Sequence, residues 1–153
     1  MKNKKSGFSL LELLLTIAVI AVIGAIGSGF YIQFSRGIEL DETAKAIVAD
    51  LKLARENALA GKNQMKWGIR FTNASQDYYE LFSTPTVYGG VSSTIVSTTY
   101  LNSVISFDTP TSSTSLDVVF SKISGNTTST SIVLRRDTLT KSINVATSGL
   151  IYQ

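Results

Sequence analysis

The chain has 153 residues, 44% of them hydrophobic, and a formal net charge of +3. That length suits one modest globular domain plus an anchor. It contains no Cys and no His, which excludes disulfide staples, thiol catalysis, imidazole acid–base chemistry and most zinc sites.

Residues 1–7 form a short basic leader containing Lys2, Lys4 and Lys5. These three account for the whole charge excess, because the remaining 11 of 14 basic residues face 11 acidic ones. The charge therefore speaks to topology rather than to a polyanionic partner. Positive charge before an apolar run predicts a cytoplasmic N-terminus and an exported domain.

From Leu13 to Ser35 there are 23 residues without formal charge. A helix rises about 1.5 Å per residue, so such a run can cross a hydrocarbon core of roughly 30 Å. Glu12 stands at its head. A carboxylate near a membrane helix costs roughly 2.5–3.5 kcal/mol on insertion scales, so one that is kept has a partner or a task. A secretory signal has a shorter apolar core with a small-residue cut after it; here the candidate cut precedes the run. Gly24, Gly27, Ser28 and Gly29 crowd its last third. They read either as small residues that let helices pack closely or as a stretch that can loosen.

Beyond the interfacial aromatics comes a polar stretch, then Leu40, Ala44, Ile47, Leu51, Ala54 and Ala58. Their spacings of four and three draw one apolar stripe on an amphipathic helix. The stripe is expected to pack on the chain's own β domain. Asp41 and Lys45 can pair at i,i+4, and Gly61 reads as the stop.

From Met65 the period changes to two. Strands are expected at 65–71, 78–82, 95–101, 104–107, 116–120, 131–136, 142–146 and 150–152. Turns are expected at 73–77, 124–126 and 147–149. The fold class is α+β, with a long N-terminal helix whose second half packs on an antiparallel β domain. The expected segments are leader 1–7, membrane and assembly helix 8–35, amphipathic helix 36–61 and β domain 62–153.

No constellation suggests catalysis. There are no paired acids on a recognisable scaffold, no Gly-rich phosphate loop and no His beside a Ser. No enzyme activity and no cofactor are expected. Asp108, Asp117 and Asp137 are the conceivable calcium ligands, but no closely spaced oxygen-ligand run exists. Asn73-Ala74-Ser75 and Asn126-Thr127-Thr128 are formal glycosylation triplets. The single basic cluster after the leader is Arg135, Arg136 and Lys141, a weak DNA-contact candidate. Adjacent strand residues point to opposite faces, and two or three phosphate contacts give little affinity. Nucleic acid is therefore not an expected partner.

Gly7-Phe8-Ser9-Leu10-Leu11-Glu12-Leu13-Leu14, after its Lys-rich leader, resembles the class III signal of type IV pilins and pseudopilins. The resemblance implies a pilin fold, cleavage after Gly7 by prepilin peptidase and N-methylation of Phe8. It implies insertion in the cytoplasmic membrane with the domain outside, then transfer through an assembly platform into an extracellular or periplasmic filament of pilin subunits. Phe8 and Glu12 would form the assembly site, the carboxylate pairing with the new amino group of a neighbour. Many major pilins carry Pro at mature position 22, where this chain has Gly29. The order Ala54–Ala58, Trp67–Phe71, Tyr78–Phe82 and Ile143–Val145 is similar to the GspH/FimT-like minor pilins. The resemblance leaves two alternatives open, a pseudopilin of type II secretion and a DNA-binding minor pilin for competence.

Overall fold

The computed structural model describes residues 9–153, apart from the side chains of 25–30. One α-helix, α1, spans Leu10–Leu59. Eight strands follow: β1 (Lys66–Thr72), β2 (Tyr78–Thr84), β3 (Thr94–Tyr100), β4 (Ser106–Thr109), β5 (Ser115–Phe120), β6 (Thr130–Arg136), β7 (Leu139–Val145) and β8 (Ile151–Tyr152). The expected α+β class with antiparallel sheets is the one observed. Two compact units divide the chain, 1–37 and 38–153.

In the first unit, α1 is apolar from Leu10 to Ile23 except at Glu12 and Thr16. Every described side chain from Leu10 to Gly24 is exposed, including Leu10, Leu14, Ile17 and Ile20. The helical backbone continues without a break across Gly24, Gly27 and Gly29. Among the described residues, no helix is long and apolar enough to cross a membrane. The uncharged run inferred from sequence includes residues 25–30, whose side chains lie outside the described set. The fully described part, Leu10–Gly24, reaches only about 22 Å at 1.5 Å per residue, short of a roughly 30 Å core.

In the second unit the stripe predicted on α1 is buried throughout. Leu40, Ala44, Ile47, Leu51, Ala54 and Ala58 join one core with residues of two four-stranded sheets. The first sheet runs β3-β2-β1-β5 and the second β4-β6-β7-β8, all neighbours antiparallel. Alternate residues face the helix: Trp67, Ile69 and Phe71 on β1, Val118 and Phe120 on β5, Ile132 and Leu134 on β6, Ile143 and Val145 on β7. That is the period-two pattern of half-buried strands. Small Ala at three stripe positions leaves room for the large rings opposite, with Phe71 packed edge-on against Phe107 at 5.6 Å.

The helix stops where Gly61 adopts φ 62°, a left-handed conformation favourable to glycine. The Ala58 carbonyl then accepts from the Gly61 amide at 3.0 Å and from the Ile123 amide at 2.9 Å, which ties the last turn to the β5–β6 loop. Gly149 (φ 76°) allows the β7–β8 turn to close beside it. A Cβ there would lie 2.2 Å from the Gly125 carbonyl oxygen.

Strand bounds shift by a few residues from those expected. The largest shift is β7, which begins at Leu139 rather than Ser142. Arg136 pairs with Leu139 across Asp137-Thr138, and Asp137 takes φ 54°. Asp tolerates that region, but no Gly or Asn marks the turn in the sequence. In β3, Leu81 faces Ser97 and Phe82 faces Ile95, so Val96 forms a bulge.

Candidate assembly site

The first described residues form a helix cap. Ser9 Oγ accepts from the Glu12 amide at 3.2 Å, and the Ser9 carbonyl accepts from the Glu12 and Leu13 amides. Ser9-Leu10-Leu11-Glu12 thus has the spacing of a capping box, with the carboxylate three residues beyond the cap. Negative charge in the first turn also complements the helix dipole. The Ser9 cap on the Glu12 amide was readable from the sequence, where a Ser stands three residues before a Glu at the head of an apolar run. The Glu12 side chain is exposed. Gly7 and Phe8, the expected cleavage and methylation positions, lie outside the described residues.

A second cluster stands where α1 enters the 38–153 unit. Arg136 of β6 forms an ion pair with Glu39, whose other oxygen accepts from Asn102 Nδ2 at 2.6 Å. Lys141 of β7 lies 2.7 Å from Asp41 Oδ1, and Lys45 lies 2.7 Å from Asp41 Oδ2, the i,i+4 pair expected. Hydrogen bonds from Lys141 and then Lys45 hold the Asp41 carboxyl down at about 2. Arg135 points elsewhere, to Asp108 at 3.5 Å. The structure therefore places each of the three basic residues named as DNA-contact candidates against a carboxylate. Arg136 and Lys141 fasten strands to the helix.

Two networks were not anticipated. Asp77, in the β1–β2 turn, is buried. Its oxygens accept from the Ala74 amide at 2.9 Å and the Phe107 amide at 2.5 Å. Neighbouring Asn73 donates to the carbonyls of Phe107 and Pro110 at 2.8 and 2.9 Å. This one turn ties the first sheet to β4 of the second. The amide nitrogen of the first glycosylation triplet is thereby engaged in the fold.

On the face of the first sheet away from the helix, buried Glu80 accepts from Tyr88 Oη at 2.6 Å. Burial, then that bond, pushes the Tyr88 phenol up to about 12. Arg70 lies 3.7 Å from the Tyr88 ring centre and forms a two-pronged pair with Asp117 at 2.6 and 2.7 Å. The bond to Asp117 raises the Arg70 pKa further. Phe82 packs edge-on against Tyr88. Among the described residues no cluster of three or more acidic side chains could hold a metal ion. Asp108 and Asp117, two of the conceivable calcium ligands, are occupied by arginines.

Residues 2–28 match the family profile described as the prokaryotic N-terminal methylation motif. No curated protein and no solved structure matches the chain. The motif, with the α+β architecture above, supports the type IV pilin and pseudopilin family. That is a family of structural subunits made as membrane-anchored precursors, processed by prepilin peptidase and assembled with other pilin subunits.

Proposed function

We propose that this chain is a structural subunit of a type IV pilus-like filament. The precursor sits in the cytoplasmic membrane with its β domain outside. Prepilin peptidase removes residues 1–7 and methylates Phe8. The apolar helix then leaves the lipid and packs against the same helix of neighbouring subunits. One observation carries this reading: the methylation motif overlies a helix whose described side chains from Leu10 to Ile23 are all exposed and, Glu12 and Thr16 apart, all apolar. A helix apolar all round needs cover on all sides, from lipid or from protein.

Glu12 is the one charged residue in that stretch. In a low-dielectric filament core it pairs with the N-terminal amine of an adjacent subunit, and the penalty on an unpaired carboxylate favours one axial register. The DNA-binding alternative is the weaker reading, since Arg136 and Lys141 pair with acids on α1 and Arg135 faces Asp108. Processing and assembly test the proposal separately. Gly7→Leu is expected to leave uncut precursor in the membrane. Glu12→Ala is expected to insert and be cut, yet to enter filaments poorly. Normal filament entry of Glu12→Ala would sink the pairing mechanism.

A further inference from the structure

A cleft of about 380 Å³ lies between the β1–β2 turn, residues 73–77, and the β3–β4 loop, residues 101–106. Small-molecule sites span roughly 300–1,000 Å³ and combine apolar walls with a few converging polar groups. Both walls of this cleft are held by bonds of the fold itself. Asp77 grips the Ala74 and Phe107 amides. The Leu101 amide donates to the Asp77 carbonyl at 2.8 Å, joining one wall to the other. Asn102 is fixed by its bond to Glu39. The cleft is therefore formed in advance, which lowers the ordering cost of binding. Filament assembly through the N-terminal helix gives it no task.

The chemistry of the lining narrows the ligand. Asp77 is its one charged side chain, and amides already occupy both carboxylate oxygens. The facing wall belongs to the uncharged run Leu81–Phe107. An ionic ligand would leave water there without meeting a counter-charge, which is costly. A purely apolar ligand would cover polar groups without bonding them. Among the described residues nothing hydrogen-bonds the lining side chains of Ser75, Gln76 and Ser103. Each of the three both donates and accepts. Leu101 and Ile105 add apolar surface. A saccharide ring matches this lining: it is neutral, its hydroxyls donate and accept, and its flat face is made of C–H groups. Tyr100, next to Leu101 in sequence, extends the match. It is 60% exposed, and a tilted contact with Tyr78 at 5.5 Å sets its ring while leaving that exposed surface for a sugar face.

We propose that the cleft between residues 73–77 and 101–106 binds a neutral saccharide, with a ring against Leu101 and Ile105 and its hydroxyls on Gln76 and Ser103. The test follows amide chemical shifts of the full chain, unassembled, in micelles of a sugar-free detergent, so it reads independently of filament formation. The probes are the trisaccharides of glucose, of mannose and of N-acetylglucosamine, with the trisaccharide of galacturonate as the charged counterpart. At least one neutral probe is expected to give saturable shifts confined to residues 73–77 and 100–106, while galacturonate gives none. Gln76→Ala is expected to weaken that binding severalfold. Ser103→Trp, placed at an exposed position, fills the cleft and is expected to abolish the shifts while the thermal midpoint stays unchanged. Equal shifts with galacturonate would mark non-specific contact and overturn the proposal. So would neutral-sugar shifts that survive Ser103→Trp, or the absence of saturable shifts with every neutral probe.

Discussion

Lys141 Nζ on β7 lies 2.7 Å from Asp41 Oδ1 on α1, across 100 residues of sequence. The contact fixes a sheet strand to the helix at the point where the second unit begins. It also contributes to the acid limb of stability. Asp41 titrates at about 2 in the folded protein against 3.8 for an unperturbed group. A depressed carboxylate contributes stability above its unfolded value and loses it as pH falls through the folded one. Urea midpoints are expected to drop as pH goes from 3.8 to about 2, and Asp41→Asn is expected to flatten that part of the drop. The pair is solvent-exposed, so added salt is expected to shrink the difference.

The alkaline limb has the opposite sign. Tyr88 is raised from 10.0 to about 12, first by burial and then by its bond to Glu80. A raised group contributes stability below its unfolded value, and that contribution fades as pH climbs from 10.0 to about 12. In an absorbance titration of the phenols, Tyr88 is expected to ionise late. Tyr88→Phe is expected to remove one late-ionising phenol and to leave Tyr79, which burial and its bond to Asp50 also push up. It should also weaken the fold by about 1–2 kcal/mol at neutral pH, since Glu80 loses a donor while remaining buried.

Asp77 is expected to be the most sensitive polar position. Asp77→Ala removes the acceptor of the Ala74 and Phe107 amides together. Phe107 is buried and its amide would be left unsatisfied, whereas Ala74 is exposed and its amide can turn to water; a loss of roughly 1–3 kcal/mol is expected in equilibrium unfolding. Hydrogen exchange is expected to speed up at Phe107 before it does at Ile132 in the centre of β6. Unchanged protection at Phe107 would contradict the tie between the sheets.

The helix stripe from Leu40 to Ala58 and strands such as β6 and β7 were legible because each rests on a local period, 3.6 or 2, set by burial on one face; β3, exposed at every residue, carries no such burial and was legible only from its β-branched and aromatic residues. The loop chemistry was not. Asp77 looks like an ordinary turn residue until Phe107, 30 positions on, supplies its amide. Arg136 looks like a solvated strand residue until Glu39, 97 positions earlier, faces it. No periodicity records a partner at that distance. The Ser9–Glu12 cap is the opposite case, since its whole signal sits within four residues.

Two glycines on α1 and β1 should respond to alanine in opposite directions. At Gly68 a Cβ would lie 2.5 Å from the Val118 carbonyl oxygen and 3.0 Å from Val119 Cα, both backbone atoms of β5. Strand β5 would have to move, so Gly68→Ala is expected to cost about 1–3 kcal/mol. At Gly37 a Cβ meets nothing within 4 Å among the described residues, inside a helix. Gly37→Ala is expected to stabilise by about 0.5–1 kcal/mol through backbone entropy. Thermal midpoints of the two variants should move apart around the parent value.

The cap at Ser9 allows the two roles of Glu12 to be separated. Ser9→Ala removes the hydroxyl that accepts from the Glu12 amide, at a cost of about 1 kcal/mol to the helix end. The carboxylate remains. Glu12→Gln does the reverse, since Gln also serves at the third position of a capping box but carries no charge to pair with an amine. If the carboxylate works as an ion-pair partner between subunits, Ser9→Ala should enter filaments nearly normally and Glu12→Gln should fail. If it works only as a cap, the order reverses: Glu12→Gln assembles and Ser9→Ala is the weaker. Processing by the peptidase should be equal in both, so immunoblots of cut precursor and of sheared filaments read the two steps independently.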